Sequence, residues 1–220
     1  MGIPTEIQEI VDKFKHRGIV GMAGELVFSL DGLALNLDTR DVIGGVLQEW
    51  FGEWMITQGY DVSSPENTQA FPDFYINKTL MLESKSFYHG KKPGFDVAAY
   101  SSYIESLVTL PQRLDAAYVI FSYEMKSSQI FIRGIWLKNI WEMVGPSPTN
   151  ILELQVKRGY PTNIRPKNFP TSPNSVFSSR YEFCEHLHRS ALRFGDIRGH
   201  DENWLSDLQR NYLAKTGVNL

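Results

Sequence analysis

Two spacings of apolar residues alternate along the chain. Over residues 41–58, Val42, Ile43, Val46, Leu47, Trp50, Phe51, Trp54 and Met55 fall on one broad helical face, which predicts a helix opened by Asp41. Glu49 and Glu53 lie one turn apart at the edge of that face. Residues 5–17 predict a shorter helix. Residues 26–37 alternate with a period of two around Asp31-Gly32, as a strand pair does. Residues 74–76 and 80–87 predict two strands separated by Asn77-Lys78-Thr79. Residues 117–123 and 129–136 predict two more, on either side of the polar turn Lys126-Ser127-Ser128. A helix is expected over 95–110, ended by Pro111, and a short strand over 152–156. A long proline-bearing loop follows over 159–174. Ser179 and Glu182 have the spacing of a capping box for a helix to about Phe194, and a last helix covers about 203–215. Strands and helices are intermixed, so the fold class is α/β (α+β), with a mixed central sheet flanked by helices.

The 220 residues, 42% hydrophobic and 21% charged, suit one soluble globular domain, and no linker divides them. No apolar run reaches the length that spans a bilayer; Ala116 to Phe121 is strand-sized. The N-terminal residues lack the basic and apolar regions of a secretory signal, and the single Cys184 excludes an internal disulfide framework. Both point to a reducing cytoplasm. Net charge is −3, but residues 1–84 hold 5 Lys+Arg against 13 Asp+Glu, while residues 85–200 hold 15 against 9. Such an asymmetric chain can present a positive surface to phosphate; taken alone, it reads more readily as ordinary solvated charge.

The chemistry concentrates in Phe71-Pro72-Asp73-Phe74 and Leu82-Glu83-Ser84-Lys85. A hairpin centred on Lys78 sets Asp73 opposite Glu83, and alternation puts Lys85 on the same face as Glu83. Two carboxylates and one ammonium then converge among apolar neighbours. Carboxylates that repel one another at a partly buried point suit Mg²⁺, which takes one or two of them plus waters and phosphate oxygens. Lys85 would orient an attacking water or stabilise developing charge. A structural Glu–Lys pair on a hairpin carries the same letters; the proline before the aspartate, the two apolar residues before the glutamate and the matching hairpin length add to the signal. Glu49, with Glu53 as its rival, is a candidate for a further metal contact. Cys184, His186 and His188 do not make a zinc site, since only Cys184 and His188 share a helical face.

With these motifs the chain resembles type II restriction endonucleases of the PD-(D/E)XK superfamily, EcoRV-like in order from about Gly18 to Arg193. The resemblance implies a restriction-endonuclease-like fold in a single domain. Its parts are a dimerisation lobe over about 18–60, a catalytic core over about 61–160, a DNA-recognition loop over about 157–175 and C-terminal helices over about 178–215. It implies Mg²⁺-dependent cutting of double-stranded DNA at a short palindrome, by a homodimer whose two-fold axis matches the site. It also implies a cognate DNA methyltransferase as functional partner in a bacterial cytoplasm. Asp73, Glu83 and Lys85 occupy the catalytic motif, with Asp73, Glu83 and Glu49 toward the metal. Lys157, Arg158, Tyr160, Thr162, Asn163 and Arg165 lie in the segment that enters the major groove. Asn67 and Gln69 precede the catalytic aspartate, and Lys91 and Lys92 are placed for phosphate contacts. The segment Asp41 to Trp50 is also similar to enzymes of the NlaIV/NgoBV type, which cut GGNNCC. Two other readings use the same residues: a structure-specific or nicking repair nuclease of this fold, and a DNA-binding module without catalysis.

Overall fold

The computed structural model describes residues 2–37, 39–67 and 70–220. In chain order the elements are α1 (Thr5–His16), β1 (Ala23–Glu25), β2 (Val27–Leu30), β3 (Leu33–Asn36), α2 (Ile43–Thr57), β4 (Val62–Ser63), β5 (Phe74–Ile76) and β6 (Leu80–Tyr88). Then come β7 (Ala98–Ala99), α3 (Tyr100–Thr109), β8 (Ala117–Lys126), β9 (Gln129–Asn139), β10 (Leu154–Lys157), β11 (Tyr160–Ile164), α4 (Arg180–Phe194) and α5 (Trp204–Thr216). They divide into two compact units. One holds the residues up to Lys91 together with Ala117–Leu137; the other holds Lys92–Ala116 and Lys138–Leu220.

The first unit is built on a six-stranded sheet in the order β1-β9-β8-β6-β5-β4. β6 and β8 run parallel, from Leu82 beside Ala117 to Tyr88 beside Tyr123, whereas β4–β5, β5–β6 and β1–β9 are antiparallel. A parallel pair needs a long return connection, and residues 89–116, which include α3, supply it. β8 reads Ala-Tyr-Val-Ile-Phe without alternation because it is central and buried on both faces. The apolar stripes of α1 (Ile7, Ile10, Val11, Phe14) and α2 (Ile43, Leu47, Phe51, Met55) join Phe74, Leu82, Val119 and Phe121 in one core. Phe14 meets Trp54, Phe51 and Phe121 edge-on at centroid distances of 4.7, 4.9 and 6.1 Å, a geometry that ring quadrupoles favour. At Gly52 a Cβ would stand 2.7 Å from Phe74 Cε1, so α2 lies tightly against the side chain of the residue that follows Asp73.

The second unit packs α3, α4 and α5 with a three-stranded sheet in the order β10-β11-β7. Tyr100, Tyr103, Phe183, Leu187, Trp204 and Tyr212 are buried there. The charged Arg180 is buried with them. It pairs with Asp115 at 2.8 Å, and Tyr212 donates its hydroxyl to the same carboxylate. Burial raises the Asp115 carboxyl above its usual range, and the Arg180 guanidinium opposes that shift.

Several sequence expectations change. α2 begins at Ile43 with Val42 as its N-cap, so Asp41 stands just outside the helix it was expected to open. The helix expected from residue 95 starts at Tyr100, because Ala98 and Ala99 pair with β11 instead. The expected loop over 159–174 opens with a strand, β11, paired to β10 through the two-residue turn Arg158-Gly159. Both turn residues have positive φ, +52° and +81°, which matches the twist of a tight hairpin and suits glycine at the second place. Pro161 is tolerated there because the register shifts beside it, between Gln155 and Val156. Ser179 caps α4 by accepting the Glu182 N–H at 3.1 Å, but the Glu182 carboxylate returns to Ser178 rather than closing the box on Ser179.

Candidate active site

The β5–β6 hairpin sets the site. Phe74 pairs with Leu82, Tyr75 with Met81 and Ile76 with Leu80, so the hairpin is centred on Lys78. Asn77 and Lys78 both have positive φ, and the Thr79 N–H closes the turn on the Ile76 carbonyl at 3.2 Å. One step beyond the paired residues, Asp73 faces Glu83. The Asp73 N–H donates to Glu83 Oε2 at 3.1 Å, and the Ser84 N–H donates to Asp73 Oδ2 at 2.7 Å. Lys85 Nζ donates to Glu83 Oε1 at 2.7 Å. Glu83 is 7% exposed, deep enough for its charge to act at short range in a poorly screened setting.

The electrostatics follow. The Asp73 carboxyl is pushed up to about 6, first by burial and then by the Glu83 charge; the Ser84 N–H and Lys85 pull it down, and the Glu49 charge adds to the rise. Glu49 therefore acts on the site from α2, whereas Glu53 is not among the charges acting on Asp73. Both glutamates are exposed, one turn apart. Among the described residues no three His, Cys, Asp or Glu side chains converge into a ready-made cage. The site offers instead two hard carboxylates whose mutual repulsion is only partly relieved by Lys85. Asp73 Oδ1 has no hydrogen-bond partner among the described residues. This donor set fits a Mg²⁺-like cation, which uses one or two carboxylates and completes its shell with water and substrate phosphate.

The candidate DNA-contact residues are spread differently. Lys157, Arg158 and Tyr160 are exposed at the β10–β11 turn, and Thr162 and Asn163 are half-buried on β11. Arg165 is ion-paired with Asp96. Tyr160 donates its hydroxyl to the Asp196 carbonyl at 3.4 Å. Lys91 and Lys92 are exposed in the stretch after β6. Asn67 is exposed, and its carbonyl accepts the Ala70 N–H at 2.8 Å; Gln69 lies outside the described residues. His188, considered with Cys184 for zinc, pairs with His200 at 2.9 Å, and Cys184 is buried. Sequence reasoning overlooked Gln155, which faces Asn163 across the β10–β11 pair. Only a hairpin assignment over 154–164 would have revealed it.

Comparison with known proteins agrees with this architecture. The family model for the NgoBV restriction endonuclease matches residues 5–220. The type II restriction enzyme NlaIV of Neisseria lactamica is 33% identical over 170 residues, 74% of this chain and 70% of that enzyme. The type II restriction enzyme NgoBV of Neisseria gonorrhoeae is 30% identical over 147 residues, covering 64% and 83%. A solved structure of the NlaIV restriction endonuclease superposes with a TM-score of 0.87 at 28% identity, covering 97% of this chain and 90% of that one. The mixed sheet, its helices and the matched span agree, and the chain belongs to the NgoBV restriction endonuclease family.

Proposed function

We propose that this restriction endonuclease hydrolyses phosphodiester bonds of double-stranded DNA at a short palindrome, GGNNCC, with Mg²⁺ held by Asp73 and Glu83 and assisted by Glu49. The observation that carries the reading is the convergence of Asp73, Glu83 and Lys85 through three hydrogen bonds of 2.7 to 3.1 Å on one hairpin. When bound, Mg²⁺ supplies Lewis acidity toward a phosphoryl oxygen and lowers the pKa of a bound water. Lys85, held at Glu83, presents an ammonium that orients the attacking water and offsets the negative charge gathering on the phosphoryl group. The backbone N–H groups of Asp73 and Ser84 fix the two carboxylates, so that the donors need little reorganisation when substrate arrives.

DNA contact falls to Lys157, Arg158, Tyr160, Thr162, Asn163 and Arg165, with phosphate contacts from Lys91 and Lys92 and further contacts from Asn67 and Gln69. Guanine edges accept hydrogen bonds and suit arginine and lysine donors. The protein acts as a homodimer, supported by one exposed apolar face. On the β2–β3 hairpin, Phe28 pairs with Leu35 and Leu30 with Leu33, so all four share a face, and they are 50%, 55%, 67% and 74% exposed. A methyltransferase that modifies the same sequence would protect the host DNA, and both would act in a bacterial cytoplasm.

The test is digestion of unmethylated phage DNA by the purified protein with Mg²⁺ or with EDTA. A reproducible fragment ladder with Mg²⁺ alone, and fragment ends that sequence to one palindrome, is the expected result. Nicked circles without fragments, or no Mg²⁺-dependent change on several DNAs containing GGNNCC, would overturn it.

A further inference from the structure

Gln155 on β10 stands directly opposite Asn163 on β11. Asn163 Nδ2 donates to Gln155 Oε1 at 2.9 Å. The Thr162 hydroxyl is shared between the Gln155 backbone carbonyl, at 3.1 Å, and the same Oε1, at 3.2 Å. These contacts tie the two amides and the hydroxyl into one unit. In this arrangement Gln155 Oε1 accepts from both Asn163 and Thr162, which fills the inward side of the Gln155 amide. With Oε1 filled, the outward groups are the two N–H donors of Gln155 Nε2 and the Oδ1 acceptor of Asn163.

None of these outward groups has a partner among the described residues, and neither amide is among the sealed, unsatisfied polar atoms of the fold. Both side chains are half-buried on paired strands, so the donors and acceptor are held rigidly rather than on a free loop. Two residues away is the basic turn of Lys157 and Arg158. In the major groove a G·C pair shows the guanine N7 and O6 acceptors beside the cytosine N4 donor. Two donors next to one acceptor are the complement of that pattern.

We infer that Gln155 is a specificity-determining residue, forming with Asn163 one amide unit that reads a G·C base pair in the major groove. Gln155 Nε2 donates to the guanine edge, and Asn163 Oδ1 accepts from the cytosine N4 amine. The Thr162 hydroxyl, bonded to Gln155, steadies the unit. The inference rests on the reading of the chain as a sequence-specific endonuclease for duplex DNA.

The experiment uses the full-length protein and its Gln155→Glu variant. Glutamate keeps an oxygen for Asn163 and Thr162 but removes both outward donors. Cleavage is measured as kcat/KM on a duplex carrying the site that the wild type cuts. It is repeated on duplexes in which each guanine in turn is 7-deazaguanine, which lacks the N7 acceptor yet pairs normally. The wild type should lose about 10- to 100-fold at one guanine of each half-site. Gln155→Glu should lose about as much on the natural duplex, and should lose nothing further at that same guanine. Its melting temperature and its affinity for non-cognate duplex should stay close to wild type. Three results overturn the inference: wild-type kcat/KM for Gln155→Glu, a loss equal on cognate and non-cognate DNA, or full additivity with every 7-deazaguanine. Gln155→Ala separates structure from readout: if it unfolds the hairpin while Gln155→Glu keeps wild-type discrimination, the residue is structural and the inference fails. A wild type that yields no discrete fragments on any DNA defeats the endonuclease reading itself, which is a different result from a wild type that cuts one site and a variant that cuts it equally well.

Discussion

Asp73 and Glu83 each anchor the other's strand: the Asp73 N–H donates to Glu83 Oε2 at 3.1 Å, while Asp73 Oδ2 accepts the N–H of Ser84, the next residue along from Glu83, at 2.7 Å. The two carboxylates are thus held close although their charges repel. That is a standing cost to the fold, of the kind that strained functional sites carry.

The cost has a measurable sign. The Asp73 carboxyl titrates near 6 in the folded chain against an ordinary value of 3.8. Between those values the folded state binds more protons than the unfolded one, so stability falls as pH rises and the full cost is present above about pH 6. Asp73→Asn removes the charge but keeps an oxygen for the Ser84 N–H. The metal-free variant should be more stable than wild type at neutral pH, on the order of 1–2 kcal/mol. The advantage should shrink toward zero as pH falls to about 4. Urea unfolding at several pH values, in EDTA, measures this. DNA cleavage by the same variant should drop by more than about 100-fold.

Lys85 answers that charge at 2.7 Å from Glu83, with its side chain 22% exposed. Lys85→Ala should cost about 100- to 1,000-fold in kcat with little change in KM, because the ammonium acts on charge that develops during reaction. The measurement is steady-state cleavage of an oligonucleotide duplex. A KM effect alone would make the lysine a DNA anchor rather than part of the chemistry.

Gly52 controls how α2 seats against β5. An added Cβ would meet Phe74 Cε1 at 2.7 Å and Phe74 Cζ at 3.1 Å, and Phe74 is buried against Phe51. Gly52→Ala should destabilise by about 1–3 kcal/mol despite alanine's better helix propensity. It should also lower cleavage, since Asp73 precedes the displaced ring. Thermal melts and cleavage rates on the same preparation read both effects.

The exposed face of β2–β3 sets the last prediction. Leu33→Asp changes a residue that is 74% exposed, so the fold of the single chain should tolerate it. Light scattering should show a dimer for the wild type and a monomer for the variant, with unchanged far-ultraviolet circular dichroism. A wild-type monomer at working concentration, or a variant that remains dimeric, would remove this face from the assembly.

Much of the site is local in origin and therefore legible in the residues alone. A hairpin's register follows from its turn, and strand side chains alternate with a period of two, so the symmetry about Lys78 was enough to bring Asp73, Glu83 and Lys85 to one face. The apolar stripe of α2 was equally plain, because burial on a helix repeats every 3.6 residues. Periodicity says which residues share a face but not what covers it. Trp50 lies on the α2 stripe yet is 41% exposed, and the apolar face of β2–β3 meets solvent. Which of the Glu49 and Glu53 charges bears on Asp73 is a matter of through-space distance that no spacing along one helix contains; of the two, only the Glu49 charge is among those that raise the Asp73 carboxyl. The Gln155–Asn163 pair was hidden for a related reason. Pro161 made its strand read as loop, and only the fold's tolerance of a shifted register beside that proline brought the two amides face to face.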